Sequence, residues 1–424
     1  MFTCALAPAY TIRWHIGFYP TTLLENLLLL TVATFAVETW RGHHMVRWRN
    51  AFTIPALLFL LAGAISVVDA PDRRAALGLY RAYIVEPIAF AIVVATVCGN
   101  ARRAYLVLGG LLLGAVWVGV PNGVVVLAAI RDHSYHVTDT PPVIFYQTQN
   151  AVALFMEPLV AAAAAVLLYA RDPRIRLFSL LALCVLLPVE VLTFSRGGYL
   201  AVAAVAVALA VSHRRRLWLS PGLVAAGLLL SRLPLVANRI ALETHNVYGN
   251  TVFFRFEIWS ATGKLLRQRP LAGAGLSGFQ QRIAPFWNST HPLPSQRFND
   301  PHNIVLNFWV ETGLLGLLAF TWIFLALLAA GWRGWRKGDA DWRPLSLGVI
   351  LALVAIVVHG LVDVPYFKND LSLEFWVLLA LGYAATLNLP APSGTRAQAF
   401  FLRRRDQSPN RLSRSLPLDS RAWS

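Results

Sequence analysis

The chain has 424 residues, 57% of them hydrophobic and only 14% charged, and a formal net charge of +16. An ordinary soluble domain is roughly a quarter charged, so this balance excludes a water-soluble globular protein and points to lipid as the solvent. The positive charge does not indicate a nucleic-acid partner, because the basic residues sit in short connections between apolar runs.

The first residues, Met1 to Tyr10, are too short and lack the basic region that a cleavable signal places ahead of its apolar stretch. Membrane spans are then expected near residues 21–39, 51–68, 82–98, 104–129, 150–170, 177–194, 198–212, 217–231, 303–330, 345–362 and 371–388. Alternating short strands of the kind that build a membrane barrel are absent from the pattern. Arginine and lysine occupy every second connection, as in Arg41, Arg47 and Arg49, then Arg102 and Arg103, then Arg171, Arg174 and Arg176, then Arg214 to Arg216, and finally Arg333 to Arg343. By the positive-inside rule those connections are cytoplasmic, and the arginine-rich tail from residue 390 lands on the same side. The expected fold is an all-α polytopic membrane protein of about 11–12 transmembrane helices. Its parts are an N-terminal bundle (1–231), an extracytoplasmic loop with short helices (232–302), C-terminal helices (303–389) and a disordered basic cytoplasmic tail (390–424). Eleven spans place Met1 to Pro20 outside, as a stub or the remnant of a shortened first helix. The loop is long enough that its own charges hardly influence topology, and a loop of that length needs a functional reason.

Six glutamates, Glu25, Glu86, Glu157, Glu190, Glu311 and Glu374, lie within the spans and by this topology in their outer halves. An ionisable group inside a membrane marks a site by default, at ~2.5 kcal/mol or more each near the bilayer centre, although any one of them can serve helix packing alone. The three cysteines, Cys4, Cys98 and Cys184, match neither a zinc pattern nor a disulfide framework. Gly273, Gly275 and Gly278 spell G-x-G-x-x-G, but with no preceding strand and no βαβ unit they read as a tight turn, not a dinucleotide site. Asp339 and Asp341 read as a solvated loop rather than a metal pair, and the Asn288-Ser289-Thr290 sequon carries no weight without a eukaryotic secretory route.

Thr193-Phe194-Ser195-Arg196-Gly197-Gly198-Tyr199 is more informative. It places a planar guanidinium and two glycines at the outer junction of two spans, where backbone amides and Arg196 suit a phosphate; the competing reading is a snorkelling arginine at a helix break. Phe253 to Trp259 opens a helix-like stretch with Arg255 near the membrane surface, where anionic lipid is the alternative contact. Asn299-Asp300-Pro301-His302-Asn303 reads as a helix start with Asp300 as N-cap, Pro301 in the first turn and His302 just inside. A helix N-terminus disfavours the imidazolium, which predicts a neutral His302 base. Gly313 and Gly316 follow as small positions for close helix packing.

In combination these segments resemble the O-antigen ligase and O-antigen polymerase superfamily of membrane glycosyltransferases. The family pattern H-[NSQ]-x9-G-x-x-[GTY] is met by His302, Asn303, Gly313 and Gly316, and its serine-arginine-glycine segment by Ser195 to Gly198. Its arginine-aromatic-x-x-tryptophan stretch with a following proline and glycine turn is met by Arg255, Trp259, Pro270 and Gly273 to Gly278. The likeness is strongest over 180–320, with Gln149-Asn150-Ala151 and Glu86-Pro87 as weaker signals. The ligases resembled have twelve spans with both ends inside, which the short N-terminus here does not match.

The resemblance implies a reaction without metal or cofactor in the bacterial inner membrane, in which an acceptor hydroxyl attacks a glycan carried on polyprenyl diphosphate. It implies His302 as general base, Arg196 and Arg255 on the donor diphosphate, and Asp300, Asn303, Gly313 and Gly316 in support. The partners are then the lipid-linked donor, a glycan or lipid acceptor and membrane lipids. Ligase, polymerase and protein glycosylation all fit these motifs. A transporter of lipid-linked glycans is the competing class, disfavoured because the sequence shows no corresponding interrupted helices in two halves. An assembly protein that lost its chemistry is disfavoured by the retention of His302 with both arginines.

Overall fold

Helices begin where a short polar side chain precedes an apolar run. Thr22 accepts the amide of Glu25 and opens α2 (Leu23–Trp40), Asn100 opens α6 (Ala101–Arg131), Thr148 opens α7 (Gln149–Tyr169), and Asp172, with Pro173 in the first turn, opens α8 (Pro173–Leu192). The computed structural model describes residues 1–17, 19–135, 140–212, 232, 251–287 and 299–389. The expected span at 217–231, the 288–290 sequon and the tail from 390 lie outside the described residues, as does much of the 232–302 loop.

Ahead of α2 run a short helix α1 (Phe2–Ala5), a 3-10 turn (Ala7–Thr11) and an antiparallel hairpin of β1 (Arg13–Ile16) and β2 (Tyr19–Thr22). This segment is not a loose stub, since Cys4, Ala7 and Ala9 are fully buried and α1 packs on α6. The chain continues through α3 (Thr53–Asp69), α4 (Arg73–Tyr80), a π-turn (Arg81–Val85), α5 (Glu86–Val97), α6, α7, α8 and α9 (Arg196–Ser212). After the undescribed stretch come α10 (Thr251–Gln268), α11 (Phe279–Ile283), α12 (Ile304–Lys337), α13 (Trp342–Gly360) and α14 (Asn369–Leu387). Eight of the described helices are long and apolar enough to cross a membrane, with α4, the π-turn and α5 forming one of them, while α3 and α9 are shorter apolar helices. The protein is a helical multi-pass membrane protein. Helices α7 and α14 are its best-buried spans, α7 packing on α6, α8, α9 and α13, and α14 on α5, α12 and α13.

Outside the spans, α10, the following turn and α11 form a small apolar core of their own. Ile258, Ala261, Leu265, Leu266, Phe279 and Ile283 pack there with Val310 of α12. Asp69, at the end of α3, pins this unit by accepting from Arg269 at 2.7 Å and Arg282 at 2.6 Å.

Helix α12 is interrupted at Gly313, where φ is +68°. The glycine turn expected at 273–278 fills the gap: Ala274 N–H donates to Val310 O at 2.7 Å and Leu314 N–H to Leu271 O at 3.0 Å. One expectation is corrected here: Gly313 is a backbone break and not a helix-packing position, although Gly316 does face Ala62 of α3. The break lies in one half of the chain, and Val310 O and Leu314 N–H beside it are satisfied by protein. A Cβ at Gly313 would lie 2.5 Å from Leu271 O in a backbone region reserved for glycine. Gly313→Ala is therefore expected to destabilise the protein by about 1–3 kcal/mol or more, read as a lowered thermal midpoint in detergent; an unchanged midpoint would show that the break is not rigidly held.

Candidate functional site

A cavity of about 1180 Å³ opens where the ends of α7, α9, α10, α12 and α14 converge, and it is lined by Arg196, Arg255, Asp300 and His302 together with Asn150, Glu311 and Asp363. Four sequence-predicted residues, from three separate stretches of the chain, thus line one cavity. Asn303, Gly313 and Gly316 do not line it. Asn303 instead caps α12 by accepting from Leu306 N–H and donates from Nδ2 to Leu361 O at 3.0 Å.

The expected helix start is displaced. Asn303 is the N-cap and Ile304 the first helical residue, so His302 stands outside the helix in a left-handed conformation with φ +48°. Asp300 holds that turn by accepting the His302 N–H at 2.8 Å. The His302 Nδ1 lies 3.3 Å from Asp300 Oδ1 and 3.7 Å from Asp363 Oδ1. Burial pulls the imidazole pKa down, but Asp363 and Asp300 outweigh it and hold it above its ordinary value. Burial pushes Asp363 up, yet His302 outweighs that and keeps its carboxyl well below the usual range, whereas burial dominates at Asp300 and raises it. This corrects the expectation of a base kept neutral by a helix dipole. Two carboxylates, not the dipole, set the proton affinity of His302, and they raise it.

Asp363 sits in the short turn 361–364 between α13 and α14, which gathers the site. Arg255 donates from Nε to Val362 O at 2.8 Å, Asn303 bonds Leu361, and Asn150 of α7 donates to the Asp363 carboxylate. Trp259 Nε1 donates to Pro301 O at 2.9 Å, so α10 is tied to the His302 turn as well. Sequence reasoning missed Asp363. The available signal was an acid just beyond the end of an apolar run, outside the expected 345–362 span, whereas the glutamates weighed lay inside theirs.

Arg196 is the first residue of α9, after Phe194 in a left-handed conformation at φ +52°. Ser195 anchors the start of α9, accepting the Gly198 N–H at 3.1 Å and donating to the Asn150 amide oxygen. The two glycines serve packing more than ligand approach. A Cβ at Gly197 would lie 2.4 Å from the His359 ring and one at Gly198 2.3 Å from Glu190 Oε1. His359 in turn meets Glu157 at 2.9 Å.

The six intramembrane glutamates are all buried, but only Glu311 lines the cavity, where it accepts the Ser277 N–H at 2.6 Å. Glu25 and Glu86 flank Arg81 at 2.9 and 3.0 Å, while Glu157 serves His359. Glu25 on α2 and Glu157 on α7 thus tie helices together, which is the packing role weighed at the outset. Asp339 accepts the amides of Asp341 and Trp342 at 3.0 Å, a loop cap as expected.

Among the described residues one side-chain group has the spacing of a cation site: Asp300, His302 and Asp363 offer one donor atom each, all within 4.8 Å of one another. Asp300 Oδ1 accepts the His302 N–H, and the two Asp363 oxygens accept the Val364 N–H at 2.7 Å and the Asn150 amide. The arrangement is that of an imidazole oriented by carboxylates, beside two guanidinium groups, in a chamber large enough for more than one small molecule.

Residues 177–321 match the family model described as O-antigen ligase. No curated protein gives a significant match to the chain.

Proposed function

We propose, from the match of residues 177–321 to the O-antigen ligase family model, that the chain belongs to that superfamily and transfers a glycan from a polyprenyl diphosphate carrier to an acceptor hydroxyl during cell-surface polysaccharide assembly. The observation that carries this reading is the meeting of His302, Arg196 and Arg255 in one cavity at the ends of membrane helices. With Nδ1 turned to two carboxylates, the imidazole keeps its proton there and its lone pair on Nε2. Nε2 takes the acceptor proton as the hydroxyl oxygen bonds to the anomeric carbon. The bond from that carbon to the phosphate oxygen breaks, and its electron pair leaves with the polyprenyl diphosphate. Arg196 and Arg255 stabilise the charge that develops there. No metal is required in this scheme, because the guanidinium groups supply the positive charge.

The test is transfer by the purified protein in liposomes, from a synthetic polyprenyl-diphosphate-linked glycan and with a chelator present. Glycan is expected on the acceptor and free polyprenyl diphosphate in the lipid phase; an absolute need for an added divalent cation would reject the metal-free scheme. Whether the product is one transferred chain or a lengthened repeat separates ligase from polymerase.

The reading places the cavity on the extracytoplasmic face of a bacterial inner membrane. A cysteine replacing the exposed Gln281, in a background where the exposed Cys184 is serine, is expected to react with an impermeant maleimide in spheroplasts. Labelling only after lysis would put the site on the cytoplasmic side and remove this function.

A further inference from the structure

Asn150 stands at the cavity wall and has no part in the transfer scheme above. It lies in the first turn of α7, one of the two best-buried spans, and Thr148 fixes that turn by accepting the Ala151 N–H at 3.2 Å. Its amide is engaged at both ends. Nδ2 donates to Asp363 Oδ2, and Oδ1 accepts from the Ser195 hydroxyl. One side chain of α7 thus joins the turn 361–364 to the start of α9.

The sense of this bridge is dictated by its neighbours. An ionised carboxylate only accepts, so Asp363 requires the Nδ2 end. The Ser195 oxygen accepts the Gly198 N–H at 3.1 Å, and its own proton goes to Asn150 Oδ1. An amide of this length meets both demands at once. Aspartate would turn an oxygen toward Asp363, leucine would offer neither group, and glutamine would add a methylene between partners already in contact. Each partner leads on to a residue of the transfer scheme. Asp363 Oδ1 lies 3.7 Å from His302 Nδ1 and accepts the Val364 N–H at 2.7 Å, so the two carboxylate oxygens are divided between the His302 side and Asn150. Ser195 caps the helix whose first residue is Arg196.

We infer that Asn150 is a positioning residue for the transfer: through one amide it holds Asp363 toward His302 and holds the helix start that presents Arg196, so that base and donor clamp are set relative to each other. The inference rests on the transfer reading for the roles of His302 and Arg196.

Two measurements on full-length protein in nanodiscs test this, and neither reads turnover. The first is the titration midpoint of His302, followed by NMR with isotope-labelled histidine and assigned by the signal lost in His302→Gln. The charged groups bearing on His302 are Asp363 and Asp300, which raise its proton affinity, and Arg255 on α10, which lowers it. Asn150→Asp adds a third carboxylate beside Asp363 and is expected to raise the midpoint by about one pH unit. Asn150→Leu adds no charge but leaves the Asp363 carboxylate one donor fewer, and should move the midpoint the same way by less. The second measurement is binding of farnesyl diphosphate, a short polyprenyl diphosphate. Asn150→Leu and Ser195→Ala are each expected to weaken it about fivefold, the scale of one hydrogen bond. Because they cut the same link, the double variant should lose far less than the ~25-fold of two independent sites.

An amide that served packing alone would lower thermal stability and leave the His302 titration in place. A titration midpoint unmoved in both Asn150 variants, undiminished farnesyl diphosphate binding, or losses that multiply in the double variant would each overturn the inference and leave the transfer reading standing. A wild type that fails to bind farnesyl diphosphate would count against the donor clamp, with the His302 titration then deciding the role of Asn150. Both expected patterns in a protein that moves no glycan would count against the transfer reading alone.

Discussion

His302→Gln is expected to lower turnover by ~10²-fold or more, the usual scale for loss of a general base, while folding and donor binding are retained. The amide preserves hydrogen bonding but takes up no proton, so the variant separates a base from a residue that merely holds the glycan. Single-turnover transfer with saturating donor reads the chemical step directly. Near-wild-type chemistry with weakened donor binding would rule out proton abstraction by this side chain. The carboxylates around His302 add a pH signature. Because Asp363 and Asp300 raise its pKa, the imidazole becomes neutral, and therefore able to act as base, only above the ordinary histidine range. The acid limb of kcat/KM should lie there. Asp363→Asn removes one raising charge, so the limb should move to lower pH even as the plateau rate falls through lost orientation. A limb that stays in place would mean that the titrating group is not His302, or that Asp363 does not act through it.

Much of this architecture was legible because lipid imposes simple rules. Apolar runs of span length separated by arginine-bearing connections gave the helices, and ten of the eleven expected spans have a described helix of nearly the same bounds. Polar residues such as Thr22, Asn100, Thr148 and Asp172 mark their starts. The cluster of His302, Arg196 and Arg255 was legible only through family spacing, since nothing local tells that residues about a hundred positions apart share a cavity. What stayed hidden depends on tertiary approach. Asp363 matters because the turn 361–364 receives Arg255, Asn303 and Asn150 from three other elements. Gly313 reads as a packing glycine until the 271–274 turn is seen to dock into the helix break. The glutamates mislead for the opposite reason. A buried acid inside a span does need a partner, and for Glu25, Glu86 and Glu157 it is Arg81 or His359 within the bundle, while of the six only Glu311 lines the cavity. The N-terminal hairpin likewise gave no periodic signal, being two strands of four residues joined by a short turn.

Arg196→Ala and Arg255→Ala should each lower kcat/KM for the lipid-linked donor by about 10²-fold, the scale found when one donor to a developing anion is removed from a closed site. The two differ in how their guanidinium groups are held. Arg196 is set by the anchored start of α9, with Ser195 bound to Gly198 and Asn150. Arg255 is set by its Nε hydrogen bond to Val362, so part of its fork is spent on positioning. Lysine at either place keeps the charge and loses the fork, and rescue should be partial. At position 255 it also loses the Val362 bond, which frees the turn 361–364 beside Asp363. Arg255→Lys should therefore disturb the His302 pH profile as well as donor use, whereas Arg196→Lys should leave the profile in place. Limiting donor and matched protein abundance make the comparison fair, because a clamp on the leaving group matters most when the donor is scarce. Full activity of both alanine variants under those conditions would reject the clamp, and a loss confined to acceptor use would move the arginines to the other side of the reaction.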